Sequence, residues 1–173
     1  MPELPEVEFA ARRLRAWAQG RQIVDAGAEA ARPLRELTPA ALTAGTVGRR
    51  VAGVRRRGKQ LFIDLDDDQV LLVHLGMTGK FLRRPLDAEP RRGRRAWFTL
   101  DDHHRLDFLD SRRFGRLRLL TRAAAEAHPE VRRLGPDALA LAADPAAFGA
   151  RLAGTRRAIK VALMDQAVMA GVG

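Results

Sequence analysis

The chain has 173 residues, enough for one sizeable domain or for one domain with part of another, and no apolar run in it is long enough to span a bilayer. It has no cysteine, which excludes disulfides and thiolate metal sites within these residues. Its formal charge of +10 is carried mostly by arginine, with only Lys59, Lys80 and Lys160 as lysines, and so favours a polyanionic partner, although a GC-rich genome would enrich arginine for unrelated reasons.

The chain opens MPELPEVEF, which allows two readings. Pro2 and Pro5 suit a helix start, where a missing N–H costs nothing, and Glu3, Glu6 and Glu8 suit the positive end of the helix dipole. The alternative is chemical: removal of Met1 would make Pro2 a free secondary amine. Val7, Ala10, Ala11, Leu14, Trp17 and Ala18 then recur at helical spacing, with Arg12, Arg13 and Arg15 on the other side, and the helix is expected to end near Gly20. No basic-then-apolar leader precedes it, so a cytosolic location is expected.

From Gly20 to about Thr121 the period shifts towards two. RQIVDAG, RRVAGVRR, KQLFIDL, QVLLVHL, AWFTL, RLDFL and RLRLLT are predicted strands, with a short helix from Pro39 to Ala44 between the first two. Many short strands predict a mostly antiparallel sandwich or barrel. Beyond Thr121 the texture is alanine-rich and helical: AAAEAHPEVRRL in pieces, DPAAFGARLAG behind an Asp144 cap, and TRRAIKVALMDQAV with Ile159, Ala162, Leu163 and Gln166 along one side. The expected class is α+β, with a helix and β-sandwich domain over residues 1–121, and a linker and incomplete helical domain over 122–173. His103 and His104 share one polar turn, and His74 and His128 stand alone, so no metal ligand set is expected.

PELPEVE, RRGKQL, HLGMTG, DSRRFG and AIKVALMDQAVMAGVG occur in that order. The series resembles the formamidopyrimidine-DNA glycosylases, bacterial base-excision enzymes that remove oxidised purines (8-oxoguanine, formamidopyrimidines) and then cut the strand by β,δ-elimination. The resemblance extends over essentially the whole chain. Endonuclease VIII, the sister family acting on oxidised pyrimidines, typically has a glycine where this chain has Leu4, and it lacks DSRRFG. The alternatives left are an endonuclease VIII-like enzyme, a non-catalytic DNA-binding paralogue, and an RNA-associated basic protein.

The resemblance implies roles. Pro2 would form a Schiff base with the damaged sugar, Glu3 would move protons there, and Glu6 would support the site. Lys59 would touch the phosphate beside the lesion and hold the sugar against Pro2, and His74 would make a second phosphate contact. Met77, Arg112 and Phe114 would fill the space left by an extruded base, Arg112 facing the estranged cytosine and Phe114 wedging into the opposite strand, with Arg113 beside them. Plain core is the alternative for Phe114, and a solvated face is the alternative for Lys160, which would otherwise lie near the DNA. The resemblance also implies damaged duplex DNA as partner, a monomer, and a nucleoid location. Family members continue past GVG through a helix–two-turn–helix to a four-cysteine zinc finger, so one structural zinc is expected there and no cofactor within this chain, and the piece as it stands is expected to be impaired.

Overall fold

A computed structural model describes residues 2–30, 34 and 36–173. Among the described residues the chain forms a helix, two four-stranded antiparallel sheets and a run of short helices.

Helix α1 (Leu4–Ala18) carries Pro5 in its first turn, and Val7, Ala11, Leu14 and Ala18 are its buried stripe. It stops at Gln19, and Gly20 then takes φ +80°, a left-handed conformation that terminates the helix without a side-chain clash. Arg12 and Arg13 lie in solvent as expected, whereas Arg15 reaches back to the sandwich, its Nε donating to the Val54 carbonyl at 2.7 Å. Strand β1 (Ile23–Ala28) leads to α2 (Pro39–Thr46), which Thr38 caps by accepting the Ala41 N–H. The other strands are β2 (Val51–Arg57), β3 (Gln60–Leu65), β4 (Gln69–His74), β5 (Lys80–Pro85), β6 (Arg94–Leu100), β7 (His104–Leu109) and β8 (Arg116–Thr121). One sheet has the order β1-β6-β7-β5 and the other β2-β3-β4-β8.

The expected sandwich is therefore present, with one strand that the sequence pattern did not reveal. β5 (KFLRRP) has a single fully buried side chain, Phe81, and ends in proline. It lies at a sheet edge, where a proline costs no ladder bond and alternation is weak because one side of the strand is unpaired.

The core between the sheets includes Leu14, Leu61, Ile63, Leu71, Val73, Phe81, Phe98 and Phe108. Full burial of one such side chain stabilises the fold by about 1.5–3 kcal/mol. The uninterrupted VLLV of β4 serves two faces. Leu71 and Val73 point into this core, while Val70 and Leu72 join Phe62, Ala125 and Val131 in a second cluster on the outside of the sheet. Ala125 belongs to α3 (Arg122–Ala127) and Val131 to α4 (Pro129–Arg132), so these two helices roof the second sheet.

The remaining helices are α5 (Ala138–Ala142), α6 (Pro145–Ala153) and α7 (Ile159–Met164). Asp144 caps α6 as expected, accepting the Ala147 N–H at 3.0 Å. α6 buries no residue. α7 differs from expectation: it ends at Met164, it buries only Ala162, and Ile159 is 60% exposed, so no apolar side runs through to Gln166. Residues 165–172 instead form a turn that Gln166 holds closed, its Oε1 accepting the Gly171 N–H at 2.9 Å and its Nε2 donating to the Val172 carbonyl at 2.5 Å.

Candidate active site

Two prolines and a glutamate shape the start of α1. Glu3 is the N-cap residue, and its N–H donates to Glu6 Oε2 at 2.9 Å. Backbone N–H groups, first that of Glu6 itself and then that of Glu3, hold the Glu6 carboxyl below the usual carboxylate range. Glu6 is thus a tether between the first turn and the residue before it. Glu3 faces Lys59, whose Nζ lies 2.6 Å from Glu3 Oε2. Both side chains are largely covered, at 14% exposure for Lys59 and 26% for Glu3. Carboxylate and ammonium therefore meet beside Pro2.

Pro2, Lys59 and His74 line one open cleft of about 760 Å³, with Arg116, Glu130 and Arg133 on its walls. The turn after α7 forms another side through Gln166 and Val172. His74 ends β4, and its Nδ1 accepts the Gly76 N–H at 3.0 Å. Burial, then the positive charge of Arg116, push its pKa down to about 4. The ring is neutral at physiological pH with its proton on Nε2, so the side chain acts as a donor without charge.

A set of ion pairs fixes this arrangement. Arg56, with a side chain only 6% exposed, donates from Nε to Glu8 Oε2 at 2.8 Å and from Nη1 and Nη2 to Asp137 at 2.5 and 2.9 Å. Asp137 also accepts the Gly58 N–H at 2.8 Å, one residue before Lys59, and the Leu139 N–H at the start of α5. Glu8 belongs to the helix that presents Pro2 and Glu3. The Leu4 N–H donates to the Gly171 carbonyl at 3.2 Å, and Asp137 forms a parallel bridge with Ala170. The helix start, the lysine turn and the last residues are thereby joined around one guanidinium.

The glycine-flanked loops lie apart from that ion-pair set. Met77 and Phe114 are 37% and 42% exposed. The exposure of Phe114 removes its reading as a core residue. Arg112 stacks on it, the guanidinium carbon 5.3 Å from the ring centroid, and Arg113 follows with an exposed side chain and φ +61°. Gly76 must be a glycine: its φ is +63°, and a Cβ there would lie 2.4 Å from the Phe114 carbonyl carbon. The two loops thus touch backbone to backbone, which brings Met77, Arg112 and Phe114 into one exposed group. Lys160 sits exposed on α7 and does not line the Pro2 cleft.

Sequence reasoning missed Gln60, Arg116, Glu130, Arg133 and Gln166 as cleft residues. Gln60 lies inside RRGKQL and Arg116 directly follows DSRRFG, so both could have been found from the motifs. Gln166 lies inside the last motif, whereas Glu130 could not have been found, since only the tertiary fold brings it there. Among the described residues no group of three or more His, Cys, Asp or Glu side chains could hold a metal ion, and without cysteine the chain offers no ligand set that fits a zinc finger.

Comparison with known proteins bears on the family and the fold. Residues 1–117 match the family described as formamidopyrimidine-DNA glycosylase N-terminal domain. The formamidopyrimidine-DNA glycosylase of Acidiphilium cryptum is 42% identical over 174 residues, covering 100% of this chain and 62% of the relative. That of Laribacter hongkongensis is also 42% identical, over 173 residues, covering 100% of this chain and 63% of the relative. The chain thus spans less than two thirds of the length of these curated relatives. A Lactococcus lactis formamidopyrimidine-DNA glycosylase solved with DNA containing N7-benzyl-Fapy-dG superposes with a TM-score of 0.84 at 28% identity, covering 99% of this chain and 63% of the other. The same enzyme bound non-covalently to DNA with an AP site superposes at 0.86 and 28% identity, covering 99% and 65%. Helix, paired four-stranded sheets, cleft and family match lead to one conclusion: the chain belongs to the formamidopyrimidine-DNA glycosylase family.

Proposed function

We propose that this chain carries the catalytic portion of a DNA glycosylase and AP lyase that acts on oxidised purines in duplex DNA. The observation that carries this reading is the meeting of Pro2, Lys59 and His74 at one cleft, with Glu3 paired to Lys59. With Met1 removed, Pro2 presents a secondary amine that titrates near ~7.7–8.0, so a useful fraction is neutral at physiological pH. Its lone pair forms a bond to C1′ of the damaged nucleotide while the glycosidic bond breaks, and the base leaves with the bonding electrons and takes up a proton. The amine nitrogen then gives up its proton, and opening of the sugar, with a proton delivered to its ring oxygen, gives the iminium. That cation accepts electrons as a proton leaves C2′ and the 3′ phosphate departs, and a second elimination releases the 5′ phosphate. Glu3, paired with Lys59, would carry these protons. Lys59 and the Nε2–H of His74 hold the flanking phosphates, and Glu6 keeps the helix start in place.

Met77, Arg112 and Phe114 would occupy the gap when the base leaves the stack, which offsets an unstacking cost of a few kcal/mol. The L. lactis structures with damaged and AP-site DNA support duplex DNA as the partner. Borohydride trapping tests the reading: a covalent adduct is expected with an abasic duplex and none with an intact one. No adduct at any protein concentration would sink it.

The two kinds of phosphate contact should separate by salt. Lys160→Ala is expected to weaken DNA binding and to reduce the slope of log K against log salt by about 0.9, the release of one counterion. His74→Ala is expected to weaken binding with the slope unchanged, because a neutral donor displaces no cation. Its contribution should also be constant from about pH 5.5 to 8, well above the pKa of about 4. A His74 contribution that fades as pH rises through the usual histidine range would mean that the bound form is the imidazolium.

A further inference from the structure

The loop between β4 and β5 and the loop between β7 and β8 share more than the close approach at Gly76. The Thr78 hydroxyl donates to Asp110 Oδ1, and Thr78 Oγ1 accepts the Arg112 N–H at 3.1 Å. Asp110 Oδ2 accepts the Gly115 N–H at 2.6 Å. Asp110 is 1% exposed, so its carboxylate is satisfied by these donors inside the fold and not by water. A Cβ on Gly115 would lie 2.9 Å from Asp110 Oδ2 and 2.8 Å from the Phe108 ring, so only a glycine lets the backbone N–H come this close to the carboxylate. The Gly115 bond alone would close the second loop. Thr78 adds something else, because it ties that loop to its neighbour through both a side chain and a backbone N–H. Met77 precedes Thr78, and Arg112 and Phe114 lie between Asp110 and Gly115. Neither Thr78 nor Asp110 lines the Pro2 cleft.

We propose that Thr78 and Asp110 are positioning residues that lock the two loops into one insertion unit, so that Met77, Arg112 and Phe114 enter the duplex together. The proposal rests on the reading of this chain as an enzyme that extrudes a base. Unstacking must be offset at the moment it occurs, and side chains on independently moving loops would first have to be ordered one by one. A unit already joined in the free protein avoids that ordering cost. Thr78→Val should therefore act as a loss of coordination and not as a loss of any contact to DNA.

The test compares the native chain with Thr78→Val and with Thr78→Ser, which keeps the hydroxyl. In the free protein, hydrogen exchange at the Gly115 amide is expected to be roughly tenfold faster in Thr78→Val, although its own partner is Asp110, and to return to the native rate in Thr78→Ser. Unchanged Gly115 exchange in Thr78→Val would show independent loops and overturn the proposal whether or not the chain is catalytic. With DNA, the probe is a duplex carrying a tetrahydrofuran abasic analogue opposite 2-aminopurine, whose fluorescence rises when side chains enter the stack. Thr78→Val is expected to need roughly tenfold more protein for that rise, with unchanged affinity for the same analogue in a single strand, where nothing is unstacked. Equal losses on duplex and single strand, or no fluorescence rise with the native chain, would also overturn the proposal. A Thr78-dependent rise without any borohydride adduct would leave the loop coupling in place and refute the catalytic reading instead.

Discussion

Replacing Arg56 with methionine is expected to lower the unfolding free energy by about 3–5 kcal/mol, the usual cost of removing one partner from a buried ion pair. The magnitude follows from what is left behind. Glu8 and Asp137, both mostly covered, lose the guanidinium that neutralises them, and the side chain that links α1 to the lysine turn is gone. Against a domain stability of roughly 5–15 kcal/mol this is a large fraction.

The same pairs set a direction with pH. A hydrogen bond from Arg56 holds Glu8 below the usual carboxylate range; for Asp137, burial works upward but Arg56 and two backbone N–H groups outweigh it. Both folded-state values lie below the unfolded ones, so their stabilisation is complete above the unfolded values of about 4. It is lost as pH falls through the folded ones. Denaturant melts of the native chain should therefore change little from pH 7 to 5 and fall below about pH 4, with the fall reduced in Arg56→Met. A loss below about 1 kcal/mol in Arg56→Met at pH 7 would mean that the guanidinium is not what joins these segments.

The second large effect concerns the terminus. A chain that keeps Met1 has Pro2 as an amide nitrogen, whose lone pair is delocalised into the carbonyl and cannot attack a sugar. Adduct formation on an abasic duplex is expected to drop by roughly 10³-fold or more, the scale on which removal of a covalent nucleophile acts. Binding to the same duplex should persist, since Lys59, His74 and the insertion loops are untouched. A Met1-retaining chain that trapped abasic DNA at the native yield would show that another amine reacts.

Much of this site was legible in linear sequence because its parts lie in short contiguous motifs. PELPEVE contains the proposed nucleophile, the proposed proton carrier and the tether; HLGMTG and DSRRFG each contain a loop and the side chains it exposes. The alternating apolar pattern likewise exposed most of the sandwich, and the VLLV run fitted a strand buried on both faces. What stayed hidden is what only the tertiary fold assembles. Glu8, Arg56 and Asp137 are each unremarkable in a chain this rich in charge, and nothing local says that they meet. β5 was invisible because an edge strand with one core residue has almost no period. α7 differed in extent: the pattern put Ile159, Ala162, Leu163 and Gln166 on one helical side, but the helix ends at Met164 and only Ala162 of its residues is buried.

The central claim, that Pro2 is the attacking amine, has few rivals in this chain. Lys59, Lys80 and Lys160 are its only lysines, and Lys59 is the one held in the cleft, 2.6 Å from Glu3. Peptide mapping of the borohydride-trapped adduct by mass spectrometry distinguishes them directly. The sugar remnant is expected on the N-terminal peptide, at Pro2, with the peptides containing Lys59, Lys80 and Lys160 unmodified; a remnant on Lys59 would contradict the assignment and make that lysine the nucleophile.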